Sequence, residues 1–100
     1  MKNAVPKELQ SVLWSQNIDD LDKIKDKNYI IHQILSYGRM DDILWLFTTY
    51  SKSEIKETFI THPYKDYDTA RFHFIKKYIL SIKEPLNNQL YVKNTPRDIR

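Results

Sequence analysis

The sequence predicts an all-α protein: a compact bundle of four to five short helices, followed by a C-terminal tail that is either loose or forms a short strand. Apolar residues recur at three- and four-residue spacing in several segments, which is typical of helices with one buried face. Residues that start or end helices separate these segments. With 100 residues, of which 41% are hydrophobic, the chain is long enough for one modest core and too short for two.

The N-terminal part of the chain is predicted to form one short helix and an irregular connector. Residues 6–14 (PKELQSVLW) begin with a proline, which suits the first helical position because that position needs no main-chain N–H donor. Residues 15–27 are mostly polar, with Ile18, Leu21 and Ile24 three residues apart. We expect a turn-like connector that these three side chains hold to the core.

A strongly amphipathic helix is predicted next, over residues 28–38. Its apolar residues fall within one arc of a helical wheel, so one face of this helix should be buried. The predicted polar face holds Tyr29, His32, Gln33 and Ser36. Gly38 stands where a helix often ends in a left-handed conformation, which predicts the end of this helix.

A second helix is predicted around residues 40–50. Asp41 and Asp42 suit its first turn, because carboxylates there lie at the positive end of the helix dipole. The predicted apolar face is wide and holds Met40, Ile43, Leu44, Leu46, Phe47 and Tyr50. Trp45 points away from this face, so it is either covered by a neighbouring segment or exposed for a partner.

Two further helices are predicted in the second half of the chain. Ser51 and Glu54 have the spacing of a capping box, so one helix should start at Lys52 and end before Pro63. The last long helix, residues 69–83, should be capped by Asp68 or Thr69. Its predicted inward side holds Phe72, Phe74, Ile75, Tyr78, Ile79 and Ile82. The opposite side holds His73, Lys76, Lys77 and Lys83, with Leu80 among them.

We therefore predict a single helical domain over residues 1–85 and a tail or docking arm over residues 86–100. The tail contains a short apolar cluster, Leu90 to Val92, and then a basic end. Periodicity does not decide between a small strand and an arm in so short a segment.

The composition excludes several classes of site. The chain has no cysteine, which excludes disulfides, thiolate metal sites and thiol nucleophiles. Its single glycine leaves no glycine-rich loop for phosphate, so Walker-type and dinucleotide-binding sites are excluded as well. The sequence contains no signal-peptide-like segment and no long apolar run. We expect a cytoplasmic protein that does not contact a membrane.

The titratable residues form no recognisable catalytic or metal-binding motif. His32, His62 and His73 are 30 and 11 residues apart, which matches no compact set of metal ligands. Paired aspartates such as Asp41 and Asp42 fall in turns or first turns, where helix capping explains them. We expect a non-enzymatic protein with no catalytic residue, no metal ligand and no cofactor.

The charge distribution favours binding over catalysis. Residues 1–50 carry 6 Lys and Arg against 7 Asp and Glu, whereas residues 51–100 carry 10 against 6. This excess indicates either a solvated basic face or a surface for an acidic partner, protein or nucleic acid. The aromatic and basic residues near the last helix are Tyr64, Lys65, Tyr67, Arg71, His73, Lys76, Lys77 and Lys83. Such a set can neutralise phosphates and stack bases.

Several segments resemble a small bacterial family of uncharacterised domains. Residues 13–14 (LW) resemble its Leu-Phe-Trp-like opening, and the acidic residues 19–22 (DDLD) follow as in the family. Residues 29–38 (YIIHQILSYG) resemble its Phe-Ile-Ile helix, which closes in a glycine. Residues 41–51 (DDILWLFTTYS) resemble its Glu-Asp-Trp-x-Trp-Leu-Leu segment and Tyr-Gly, and residues 54–59 (EIKETF) its Glu-Glu-Ile helix.

The resemblance extends over residues 13–82 and implies a partner. Trp45 and Leu46 match the second half of the family's Trp-x-Trp-Leu motif, whereas Ile43 replaces its first Trp and Ser51 replaces its Gly. Domains of this family are commonly encoded beside nucleotidyltransferase toxins of the abortive-infection type. The resemblance thus implies an antitoxin-like protein with such a toxin as partner, and it brings no catalytic residues.

The resulting prediction is a protein-binding, antitoxin-like domain that occludes a toxin. The residues predicted to bind the partner are His73, Lys76, Lys77, Leu80, Lys83 and Trp45. Leu80 would be the desolvated contact, and the lysines would form a steering rim. The alternative is a DNA-binding regulator of its own operon, although Asp41 and Asp42 would repel phosphate at a helix-turn-helix built around Gly38. A third class is a structural homodimer that buries Trp45 or the tail in a symmetric interface.

Overall fold

The computed structural model describes residues 4–93 and confirms the all-α fold class over that range. Its α-helices are α1 Lys27–Tyr37, α2 Met40–Thr49, α3 Lys52–Thr61 and α4 Thr69–Phe74. A π-helical turn, Ile75–Ile79, continues α4, and 3-10 helices occur at Lys7–Ser11, Ile18–Asp20 and Asn88–Leu90. The described residues form no sheet, only the isolated bridges Ala4–Asp22 and Tyr67–Val92.

The N-terminal segment packs on the bundle mostly as predicted. The helix predicted over residues 6–14 is a short 3-10 helix, and Pro6 lies directly before it. In the connector, Ile18 and Leu21 are buried, as predicted. The prediction for Ile24 is wrong, because this side chain is 70% exposed. It lies in a tight turn in which the Asp22 carboxylate accepts hydrogen bonds from the main-chain N–H groups of residues 24 and 25.

Helix α1 is buried on nearly all sides and packs against both α2 and α3. The prediction that its polar side faces solvent is wrong, since His32, Gln33 and Ser36 are all buried. Residues distant in sequence cover this side and satisfy its polar groups; the Gln33 amide, for example, donates to the main-chain oxygen of Val12 at 3.1 Å. A buried polar side chain with a partner avoids the desolvation cost that an unpaired one would carry.

Gly38 ends α1, but not in the predicted left-handed conformation. Its φ is −71° and its ψ is 159°, which is extended backbone that any residue adopts. A Cβ atom at this position would lie 2.6 Å from the main-chain oxygen of Ile34 and 3.0 Å from the Cβ of Asp42. A Cβ atom at this position would therefore be crowded by the last turn of α1 and by Asp42 in the first turn of α2, which explains the glycine.

Helix α3 starts at its predicted cap, and Asp41 and Asp42 lie in the first turn of α2, as predicted. The Asp42 carboxylate accepts a hydrogen bond from the main-chain N–H of Arg39 at 2.9 Å. The Ser51 hydroxyl accepts one from the main-chain N–H of Glu54 at 3.1 Å. These contacts satisfy N–H groups that have no partner within the helix, and so they fix where α3 begins.

The apolar face of α2 is narrower than predicted. Ile43, Leu46 and Tyr50 are buried, whereas Met40 and Leu44 are 52% and 59% exposed. The helix packs mainly on α1, and nothing else among the described residues covers the side that carries Met40 and Leu44.

The last helix is shorter than predicted and changes its period. It ends at Ile79 instead of residue 83, and its last turn is π-helical, with the main-chain N–H of Leu80 donating to Ile75 at 2.8 Å. One extra residue in a turn rotates the following side chains by roughly 100°, the angle per residue of an α-helix. Leu80 therefore points into the core and is fully buried.

The C-terminal segment is held to the core by Tyr91. This side chain is 1% exposed, stacks on Phe59 at 4.8 Å between ring centroids, and donates its hydroxyl to the main-chain oxygen of Phe59 at 2.7 Å. Val92 pairs with Tyr67 in an isolated bridge instead of a strand. The predicted basic end of the tail, residues 94–100, lies outside the described residues. Among residues 4–93, no helix is both long and apolar enough to cross a lipid bilayer.

Candidate functional site

One groove at the end of the last helix collects the predicted basic residues. Its lining consists of His73, Lys76, Lys77, Ser81, Ile82 and Lys83. The groove has a volume of about 470 Å³, and its accessible lining is mostly apolar, although Ile82 itself is almost fully buried. All the titratable residues in this lining are of the basic type. The structure thus brings four of the six predicted partner-binding residues to one concave surface.

The main chain sets the shape of this groove. Ser81 has a φ of 53°, the only positive value among the non-glycine residues described, so the chain turns sharply after the π-helical turn. The main-chain N–H of Ile82 then donates back to the oxygen of Lys76 at 2.9 Å. This bond satisfies a carbonyl at the helix end and brings Ile82 and Lys83 back beside the last turn.

Two aromatic side chains beside the groove are exposed. Phe74 and Tyr78 are 37% and 68% exposed, and their ring centroids lie 6.1 Å apart. The Nζ atom of Lys77, which lines the groove, lies 5.5 Å from the centroid of the Tyr78 ring. The prediction that both rings face the core is wrong; the fully buried side chains of this segment are Phe72, Ile75 and Leu80.

Leu80 does not belong to this surface. The prediction that it forms an exposed contact among the lysines is wrong, since its side chain is fully buried with the core residues. An α-helical wheel places residue 80 beside residues 73, 76 and 77, but that geometry does not hold through a π-helical turn.

Trp45 lies apart from the groove. Its side chain is half-buried and packs against the core, and it is absent from the residues that line the groove. Trp45 was predicted to be either covered by a neighbouring segment or exposed for a partner. In the structure the rest of the chain covers it in part. Its predicted role in partner binding stays a prediction.

A second cluster of polar and aromatic side chains is buried around His32. Its Nε2 lies 2.7 Å from the main-chain oxygen of His62, and its Nδ1 lies 2.7 Å from the hydroxyl of Tyr67. Because a carbonyl oxygen only accepts, Nε2 carries the proton and Nδ1 accepts from Tyr67. Burial lowers the pKa of His32 to about 4. The ring is therefore neutral with both nitrogens occupied, which suits a structural role better than proton transfer.

The aromatic and basic set predicted for nucleic acid is divided in the structure. Tyr67 is fully buried. The Arg71 guanidinium is engaged in hydrogen bonds within the protein. The Arg71 guanidinium donates to the main-chain oxygens of Leu35, at 2.6 Å, and Gly38, at 2.5 Å, at the end of α1. A cation at this position also interacts favourably with the helix dipole. Only part of the predicted set therefore remains available to a partner.

Within residues 4–93, no group of three or more His, Cys, Asp or Glu side chains has a geometry suited to a metal ion. The aspartates serve the local structure in several places. Asp66 accepts a hydrogen bond from the Tyr37 hydroxyl at 2.9 Å, and Asp42 caps α2. The chemistry that the groove offers is thus attraction of anionic groups and burial of apolar ones.

Comparison with known families gives one match. A model described as "Family of unknown function (DUF6922)" matches residues 9–59, which run from the first 3-10 helix into α3. The groove at the end of α4 lies outside the matched segment. No curated protein and no solved structure matches the chain significantly.

Proposed function

The chain belongs to the DUF6922 family of unknown function, and from this premise we propose that it is a non-enzymatic protein-binding domain, the antitoxin-like partner of a nucleotidyltransferase toxin. The observation that carries the proposal is the groove of His73, Lys76, Lys77 and Lys83 with exposed aromatic residues at its side. A concave surface that combines basic side chains with apolar surface suits an acidic protein partner.

The nature of the partner rests on the resemblance of residues 13–82 to domains commonly encoded beside such toxins. In this proposal the domain acts by occlusion: its basic groove covers an acidic cleft of the toxin. The lysines would accelerate the encounter through long-range attraction, and the apolar lining of the groove would supply the part of the interface that excludes water. No reacting group of this chain is required for that mechanism.

A DNA-binding regulator is the second candidate, and the same lysines favour it. Lys76, Lys77 and Lys83 are separate cations on one surface, as a phosphate-binding site requires. They line a concave site whose accessible surface is mostly apolar, however. This arrangement favours a protein partner over a duplex.

Co-purification tests the proposal. The chain is expressed together with the gene beside it, only this chain is tagged, and the eluted proteins are identified. A stoichiometric nucleotidyltransferase supports the proposed function. If only the tagged chain elutes, the toxin-partner proposal is wrong, and binding to DNA fragments at increasing salt then tests the second candidate, because phosphate contacts weaken steeply with salt.

Charge reversal of the groove identifies the binding surface. The variant carries Lys76→Glu, Lys77→Glu and Lys83→Glu, and the partner should be lost from the eluate. A matched control carries Lys25→Glu, Lys52→Glu and Lys65→Glu, three exposed lysines outside the groove, so that both variants have the same net charge. If both variants lose the partner equally, the groove is not its binding site and only net charge matters.

A further inference from the structure

The groove and the aromatic pair beside it form one composite surface. Lys77 belongs to both, since it lines the groove and its Nζ lies 5.5 Å from the Tyr78 ring centroid. Phe74 lies 6.1 Å from Tyr78, at an interplanar angle of 37°. A partner seated in the groove would therefore also meet these two rings.

The lining of the groove indicates what it holds. Its accessible surface is mostly apolar, and Lys76, Lys77 and Lys83 belong to the same lining. An apolar side chain in the groove would remove this apolar lining from water, and acidic neighbours on the partner would then lie within reach of the lysines.

From this arrangement we infer that the groove takes a peptide segment of the partner in which an apolar side chain is flanked by Asp or Glu, with Phe74 and Tyr78 as the anchoring contacts on this chain. The inference rests on the proposed protein-binding function and specifies its ligand. The role of desolvated contact, which the sequence had suggested for Leu80, passes to Phe74 and Tyr78, because Leu80 is buried and these two rings are exposed. Aromatic residues are enriched among those that dominate the energy of interfaces.

One observation favours a peptide over single-stranded nucleic acid. The basic residues line a concavity, whereas a nucleic-acid backbone needs a continuous track of cations. The groove is also largely preformed, because the hydrogen bonds of Leu80 and Ile82 to the last turn fix its main chain. A preformed site loses less entropy on binding.

The test is a selection of random short peptides displayed on phage against the intact chain, followed by calorimetric titration of the most enriched peptide. We expect enriched sequences with Leu, Ile or Phe between acidic residues. We expect affinity to fall about tenfold or more in Phe74→Ala with Tyr78→Ala, as for truncation of interface anchors. The matched control is Met40→Ala with Leu44→Ala, which removes comparable exposed apolar surface from α2 and should change affinity less than about twofold.

Several results would overturn the inference. These are a selection without enrichment, enriched peptides without acidic residues, or equal affinity for the aromatic variant and the wild type. Tighter binding of a thymidine oligonucleotide to the same surface would also overturn it. Circular dichroism checks that each variant is folded, and Lys77→Glu with Lys83→Glu, both at exposed positions, provides a second way to weaken the site.

The outcomes separate this inference from the proposed function. A toxin that binds the Phe74→Ala and Tyr78→Ala variant as tightly as it binds the wild type leaves the protein-binding function intact and refutes the peptide site. Conversely, acidic peptides that bind the groove while no neighbour co-purifies support the site and refute the toxin as partner.

Discussion

The Nδ1 atom of His32 lies 2.7 Å from the hydroxyl oxygen of Tyr67, and both side chains are fully buried. The other ring nitrogen of His32 bonds to the main-chain oxygen of His62. The imidazole therefore joins α1 at two points to the segment between α3 and α4. The rings of Phe59 and Tyr64 stack against the imidazole at 5.7 and 5.3 Å between centroids. A single neutral histidine therefore organises the middle of the fold, and its protonation should weaken the protein.

The first prediction concerns acid stability. Burial lowers the pKa of His32 from 6.5 to about 4. Between these values the unfolded chain binds a proton that the folded chain does not. The contribution of His32 to the free energy of unfolding is therefore fully present above pH 6.5 and is lost as the pH falls towards 4. We expect His32 to account for a loss of about 3 kcal/mol by about pH 4, measured by urea unfolding at several pH values.

Carboxylates also titrate near pH 4, so the informative range lies above about pH 5. The His32→Gln variant should show a flatter profile there, whereas His73→Gln, which replaces an exposed histidine, should keep the slope of the wild type. A direct NMR titration of the His32 ring that gives a pKa near 6.5 would contradict the prediction.

The second prediction concerns the hydroxyl of Tyr67. Tyr67→Phe keeps the ring but leaves Nδ1 of His32 buried without a donor, which costs about 1–3 kcal/mol. Tyr29→Phe is the matched control, since the Tyr29 hydroxyl contacts Ser15 at an exposed position, at 2.8 Å. Its effect should stay within about 0.5 kcal/mol. Equal free energies of unfolding for the two variants would show that the buried contact contributes nothing.

The third prediction separates two explanations for Gly38. Its φ of −71° permits any residue, but an added Cβ would lie 2.6 Å from the Ile34 oxygen. Gly38→Ala should therefore destabilise the protein by about 1–3 kcal/mol through overpacking, and Gly38→Asn should be no better. If Asn were tolerated where Ala is not, a left-handed conformation would explain the glycine instead.

Ser81 is the control for Gly38, because its backbone is left-handed whereas the backbone of Gly38 is extended. Its φ of 53° is left-handed, a conformation that costs an L-residue roughly 1–2 kcal/mol. Ser81→Gly should therefore leave the free energy of unfolding unchanged or raise it, by at most about 1 kcal/mol.

The fourth prediction concerns Arg71, whose guanidinium donates to the main-chain oxygens of Leu35 and Gly38. A lysine has no planar fork and cannot make both contacts, so Arg71→Lys should destabilise the protein by about 1.5–3 kcal/mol. Arg39→Lys, at an exposed position, is the control and should be close to neutral. Chemical denaturation measures both. Similar midpoints for the two variants would refute the capping role of Arg71.

The sequence predicts those features of the fold that local signals determine. The start of α3 follows from Ser51 and Glu54, because capping residues act within one turn of the chain. Gly38 marks the end of α1 as predicted, but through crowding at its Cβ position and not through a left-handed conformation. The buried environment of His32 is not predictable in this way. Its partners Tyr67 and His62 are 35 and 30 residues away, and a helical wheel places every polar residue outside.

The candidate site is predictable only in part, for a related reason. The cluster of Lys76, Lys77 and Lys83 is visible in the sequence because charged side chains stay at the surface whatever the helical period. The burial of Leu80 depends on the π-helical turn, which no capping or turn residue announces, and the helical wheel had grouped Phe74 and Tyr78 with the buried residues. The aromatic part of the surface therefore required the structure.

The last prediction tests that change of period directly at Leu80. If the helix kept an α-helical period, Leu80 would be exposed and Leu80→Ala would change partner binding without changing stability. In the structure Leu80 is fully buried, so Leu80→Ala should destabilise the protein by about 2–5 kcal/mol, the cost of a cavity in a packed core.

Lys83→Ala, at an exposed neighbouring position, should remain within about 0.5 kcal/mol of the wild type. Thermal unfolding of both variants measures this, and a Leu80→Ala variant as stable as Lys83→Ala would refute the π-helical turn. Partner binding by Leu80→Ala, measured well below its unfolding temperature, should then be retained, because the side chain does not reach the groove.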